Sequence, residues 1–192
     1  MKRLFLFLFL TVVLITSCEN EHSKDSDTKD SVENSDLENL GDTDMNEFSF
    51  ASYGLNLSIL LPEVASHTGA SIQPTVTHDD GDFIWNLDIG NNFKLVIEDF
   101  GREKNKIIEE KKYLEGQKEI FLFDFIIDEP KVIMYKRELH ADQGGKKSYH
   151  CYGEMKVDGY TIVIRTNSDG GFKPVVLDMV TIIKSAKEIK KG

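Results

Sequence analysis

Between Glu19 and Glu47 the chain carries eleven acidic residues against Lys24 and Lys29, and not one Phe, Tyr or Trp. Val32, Leu37, Leu40 and Met45 are the only sizeable apolar side chains there, too few to offset the entropy lost on ordering the tract. It reads as a disordered linker, so whatever folds must be built from residues 48–192. Those 145 residues are one domain of ordinary size, able to bury roughly 70% of the surface its unfolded chain exposes without a disulfide or metal. Two cysteines cannot make a disulfide scaffold. The net charge of −10 comes without basic clusters, which leaves no electrostatic footprint for DNA or RNA and argues against nucleic acid as a partner.

Ahead of the linker, Lys2 and Arg3 precede an apolar stretch from Leu4 to Ile15, interrupted only by Thr11 and closed by Thr16, Ser17 and Cys18. A positive start and an apolar run well short of the roughly 20 residues of a bilayer span describe a secretory signal. The closing Ile15-Thr16-Ser17-Cys18 resembles the lipobox of bacterial lipoproteins; the alternative is an ordinary cleaved signal. The lipobox resemblance implies that residues 1–17 are removed and that Cys18, the new first residue, is lipidated, palmitate included. At about 0.8 kcal/mol per buried methylene, one acyl chain anchors marginally and two or three anchor firmly. Residues 18–47 then form a tether that spans roughly 30 Å as a flexible coil. Cys18-Glu19-Asn20-Glu21 also resembles the acidic signal that sends some lipoproteins to the outside of the outer membrane, although the plainer reading of such a charge run is a solvated spacer. The expected address is the bacterial cell envelope, lipid-anchored at the outer membrane and facing the periplasm or the cell surface.

Past Phe48 the periodicity becomes that of strands. Leu55, Leu57, Ile59 and Leu61 share one face, Pro62 stops the run, and Tyr53-Gly54 turns it back on Phe48–Ser52. Ser71–His78 reads as a strand placed at a sheet edge or bulge by Pro74. Phe83–Ile89 and Phe93–Asp99 form a hairpin around Gly90-Asn91-Asn92. One register sets Ile89 on Phe93, Leu87 on Leu95, Trp85 on Ile97 and Asp88 on Lys94, so both faces agree. Arg102–Gly116 reads as a half-exposed helix with Lys106–Glu110 and Lys111–Glu115 as its i,i+4 pairs. Strands follow at 119–127, 131–139, 147–157 and 160–165. The first, with Phe121, Phe123 and Phe125 on one face and Ile120, Leu122 and Ile126 on the other, is expected to be central and buried on both sides. Phe172, Val175, Val176, Met179, Val180 and Ile183 make one face of a closing helix over about 172–187. Lysines gather at its carboxyl end, where the helix dipole favours cations.

The expectation is an α+β domain with a mostly antiparallel sheet and two flanking helices, about 102–116 and 172–187, preceded by a signal peptide and a disordered acidic tether. With Phe48-Ser49-Phe50, Tyr53-Gly54-Leu55, Leu61-Pro62 and Ile182-Ile183-Lys184-Ser185, this order is similar to the PsbP-like fold. That resemblance implies an accessory or binding module and no catalytic residues.

The chemistry-bearing candidates are few. His150-Cys151 would be adjacent on a strand and point to opposite faces, which keeps them apart as a nucleophile and base; a lone Cys151 fits a buried small apolar residue. His78, Asp79, Asp80 and Asp82 hold the right atoms for a divalent cation. They fall where a turn around Asp80-Gly81 is needed, and the twelve-residue spacing and terminal Glu of a calcium loop are missing. Asn167-Ser168-Asp169-Gly170-Gly171 precedes a helix but lacks the Gly-Lys-Ser/Thr ending of a phosphate loop. Trp85 and Phe83 read as core, with a ligand pocket as the alternative. No catalytic residue, cofactor or firm metal site is expected. The leading expectation is a non-enzymatic, membrane-anchored module that binds an envelope protein. Second comes a small-molecule or surface-polymer binder with its cleft near Trp85, and last a hydrolase-type enzyme centred on Cys151 or His78.

Overall fold

The computed structural model describes residues 45–62 and 73–190. The signal segment, Cys18, the tether to residue 44, and Ser71 and Ile72 of the expected third strand lie outside the described residues.

The fold is α+β with antiparallel pairing throughout. In chain order come β1 (Met45–Ser49), β2 (Leu57–Pro62), β3 (Pro74–Thr77), β4 (Ile84–Ile89), β5 (Phe93–Asp99), α1 (Lys106–Gly116), β6 (Phe121–Asp128), β7 (Val132–Leu139), β8 (Lys147–Val157), β9 (Tyr160–Thr166), α2 (Lys173–Ser185) and the short β10 (Lys187–Glu188). Seven strands form one sheet in the order β3-β4-β5-β9-β8-β7-β6, and β1-β2-β10 form a second. Helix α2 and the small sheet cover one face of the large sheet. Their common core holds Phe50, Leu57, Ile59, Leu87, Phe93, Ile97, Met134 and Met179, all nearly inaccessible. Helix α1 covers part of the other face, where Ile107 and Leu114 meet Ile133, Tyr135, Tyr152 and Val163.

The β4–β5 hairpin has the expected register, Trp85 on Ile97, Leu87 on Leu95, Asp88 on Lys94 and Ile89 on Phe93. Strand β3 is an edge strand, where Pro74 withholds no ladder bond that a neighbour requires. Asp158 (φ 51°) and Gly159 (φ 80°) turn β8 into β9, the left-handed pair that a two-residue hairpin with matching twist demands.

Five expectations are corrected. β6 is not central but the terminal strand of the large sheet, with Leu122 50% and Phe125 39% exposed. Apolar side chains on both faces signal burial only when both faces have covers, and periodicity cannot see the covers. The first helix begins at Lys106 and not Arg102: Asp99 Oδ1 accepts the Gly101 N–H at 2.7 Å, and Asn105 is left-handed at φ 62°, so the chain turns through 101–105 before it can coil. The expected i,i+4 pairs are replaced by other partners. Lys106 lies between Glu103 (2.8 Å) and Glu109 (2.5 Å), which raise its pKa, and Lys111 pairs with Asp128. The closing helix ends at Ser185, Phe172 is 70% exposed just before it, and Lys187 joins β10 to pair with Glu47 at 3.1 Å. That contact also belongs to a strand that starts at Met45, three residues inside the tract read as linker.

Candidate functional site

A hollow lies where two neighbouring strands differ in length. β7 begins at Val132, opposite Gly153, while β8 runs on to Val157 with β9 as its partner. The Glu154 N–H still reaches the Lys131 carbonyl at 3.0 Å. Past that bond, β8 has a strand neighbour on one side only among the described residues. Thr161, opposite Lys156, donates its N–H to Gly101 O (2.6 Å), and its carbonyl accepts from Phe100 N (2.9 Å). In an antiparallel ladder the facing residue then turns its own N–H and C=O the other way, so the Lys156 backbone is directed into the hollow.

The result is a cleft of about 750 Å3. Ile107 and Ile108 of α1 form one wall and Ile183 of α2 the other, with Met155 on the floor strand and the Glu129–Lys131 turn across one end. Gly153 brings the second wall close: a Cβ there would lie 2.3 Å from Ile183 Cγ2.

The rim is charged. Glu129 pairs with Lys184 at 2.5 Å. Glu154 Oε2 accepts the Ile107 N–H at 3.3 Å and so satisfies an open donor at the positive end of α1. Lys156 Nζ donates to Glu103 O at 3.2 Å and to Thr161 Oγ1, both neutral acceptors. Lys131 has no side-chain partner among the described residues. Lys131 therefore lines the cleft without a carboxylate among the described residues, while the Lys156 ammonium is held by Thr161 and Glu103 with no carboxylate of its own. The ionisable groups of the lining are Glu129, Lys131, Glu154, Lys156 and Lys184.

The residues singled out from sequence fall elsewhere and do not converge. His78 stacks on Trp85 with ring centroids 4.5 Å apart, and its Nδ1 lies 2.9 Å from Ile84 O. Asp79 O accepts the Asp82 N–H at 2.9 Å, and Asp82 Oδ1 accepts the Phe83 N–H at 2.7 Å. The segment is a turn, and among the described residues no three His, Cys, Asp or Glu side chains gather to hold a metal ion. Trp85 is buried, with Nε1 donating to Tyr53 O at 2.8 Å, while Phe83 beside it is 64% exposed. Cys151 lies in the α2-side core, where burial pushes its thiol up to about 12. His150 lies on the opposite face against Tyr135. The Gly-rich loop before α2 uses its amides internally: Gly170 N–H donates to Asn167 O at 3.1 Å, and Gly171 exchanges both bonds with Tyr149.

Sequence reasoning missed Lys131, Glu154, Met155 and Lys156 as a group. One signal was legible: the strand expected at 147–157 is longer than the one at 131–139, so part of it had to lack that neighbour.

A second surface is the open edge of β6. Ile120, Leu122, Phe125 and Ile126 are exposed there, and the pairing with β7 is irregular between Phe125 and Ile127. Lys111 lies 5.7 Å from the Phe125 ring.

No protein-family model matches the chain, and no curated protein matches it.

Proposed function

We propose that the protein is a lipid-anchored component of the bacterial envelope, held at the outer membrane through Cys18, whose domain binds another envelope protein as a non-enzymatic accessory module. The observation that carries the protein-binding part is the β6 edge. This terminal strand presents Leu122, Phe125 and Ile126 to solvent beside Asp124 and Asp128, an apolar patch on an open sheet edge. Such a patch marks an association surface. The accessory-module part of the reading rests on the resemblance to PsbP-like proteins. The anchor rests on the lipobox resemblance, with residues 18–44 as spacer.

The test is a crosslinking pull-down from intact cells, run beside Cys18→Ala and with labelled palmitate. The expected outcome is label and a stoichiometric partner with the wild type and neither with the variant. Label retained by Cys18→Ala would remove the anchor, and a wild type without partner would remove the adaptor role.

A second reading, binding of a small molecule or surface polymer, is favoured by the size of the cleft, which is within the roughly 300–1,000 Å3 of ligand sites. It relocates the site from Trp85 to the far end of β8.

A further inference from the structure

Resting on the protein-binding reading, we infer that the cleft between α1 and α2 receives an extended, acidic segment of the partner polypeptide, which adds as a strand to the free edge of β8 at Glu154–Lys156. Backbone, walls and charge each contribute an argument.

The backbone argument is the register. β7 stops at Val132 while β8 continues, and the Lys156 N–H and C=O are directed into the space β7 vacates. A chain laid there continues the line of β7 and takes up a ladder already set on its other side by β9. Strand addition of this kind draws affinity from main-chain bonds and selectivity from alternate side chains. The walls suit that alternation. Successive side chains of an added strand point to opposite faces, one toward Ile107 and Ile108, the next toward Ile183.

Charge selects the sign of the partner. Of the charged groups on the rim, Glu129 is neutralised by Lys184 and Glu154 is committed to the start of α1. With Lys131 and Lys156 set against the one remaining carboxylate of Glu154, the rim keeps an excess of positive charge in a chain of net charge −10, so an acidic segment is favoured there over a basic one. A small apolar anion could use the same lysines and walls, but it has no use for the Lys156 backbone.

The experiment uses the full chain in detergent and three fluorescent peptides of about eight residues: one of valine and leucine ending in two aspartates, its lysine-ended counterpart, and the acidic peptide with alternate amides methylated. The acidic peptide is expected to bind at least about tenfold more tightly than the other two and to slow hydrogen exchange at the Lys156 amide. Lys131→Glu, a change at an exposed position, is expected to reverse the preference between acidic and basic peptides. Equal binding of the methylated peptide, or no effect of Lys131→Glu, overturns the inference.

A photo-crosslinker placed at Met155 or at Leu122 in intact cells separates this inference from the reading beneath it. A partner captured at Met155 through an extended acidic segment supports it. Capture through Leu122 alone overturns the cleft while the protein-binding role stands, and no capture at either position overturns both.

Discussion

The phenol ring of Tyr135 lies on the imidazole of His150, with 5.3 Å between centroids and 14° between planes. The two are cross-strand partners on β7 and β8. Tyr135 OH donates to Glu110 Oε1 at 3.0 Å, while His150 Nε2 lies 2.8 Å from Ser148 Oγ. This side of the sheet thus carries a buried polar seam under α1, away from the cleft.

Burial first, and the Arg137 charge second, lower the His150 pKa from 6.5 to about 4. As pH falls through that window the unfolded chain takes up a proton that the native state refuses, so stability is full above about 6.5 and declines toward 4, by up to ~3 kcal/mol. Glu110 acts with the opposite sign: burial raises its pKa, so its native form gains relative stability as pH falls toward its ordinary range. Urea midpoints of the wild type are expected to drop between about pH 7 and 4.5, and His150→Gln is expected to flatten the drop. Parallel curves for the two proteins would refute the assignment.

Cys151 is 1% exposed, and its thiol is pushed up to about 12. Thiolate chemistry needs the opposite environment. Mass spectrometry after iodoacetamide treatment is expected to find Cys151 unmodified in the native protein and alkylated in urea. Rapid native labelling would contradict the burial.

Gly153→Ala places a Cβ 2.3 Å from Ile183 Cγ2. Overpacking at such a contact costs about 1–3 kcal/mol, and α2 has to move off β8. The combined loss in thermal midpoint should be smaller than the sum of the single losses when Ile183→Ala is made in the same chain, because that change removes the Cγ2 atom itself. Simple additivity of the two changes would show that the contact is not the cause.

Leu122→Lys on the β6 edge replaces a half-exposed side chain and should change stability by no more than about 0.5 kcal/mol. Its expected effect is on association: less partner in the pull-down and less self-association at high concentration, since a charge on an open edge blocks pairing. An unaltered pull-down would take β6 out of the interface.

Where two segments lie close along the chain and their side-chain patterns agree on both faces, the sequence by itself determined the outcome. The β4–β5 hairpin and the α+β class follow from alternation and turn residues, while Pro74 confined β3 to a sheet edge or a bulge, of which the fold took the edge. The split of His150 from Cys151 follows from strand geometry alone. Sheet order was beyond that reach. Phe121–Ile127 has the composition of a buried central strand, yet it ends as an edge, because burial depends on which elements arrive to cover it. The start of α1 was missed for a related reason: Asn105 turns left-handed where Thr161 and Lys156 engage the Phe100–Glu103 segment. The cleft is the clearest case. Lys131, Glu154 and Lys156 are unremarkable in sequence, and only the offset between β7 and β8, fixed by long-range pairing, opens the backbone edge and gathers these three on one rim.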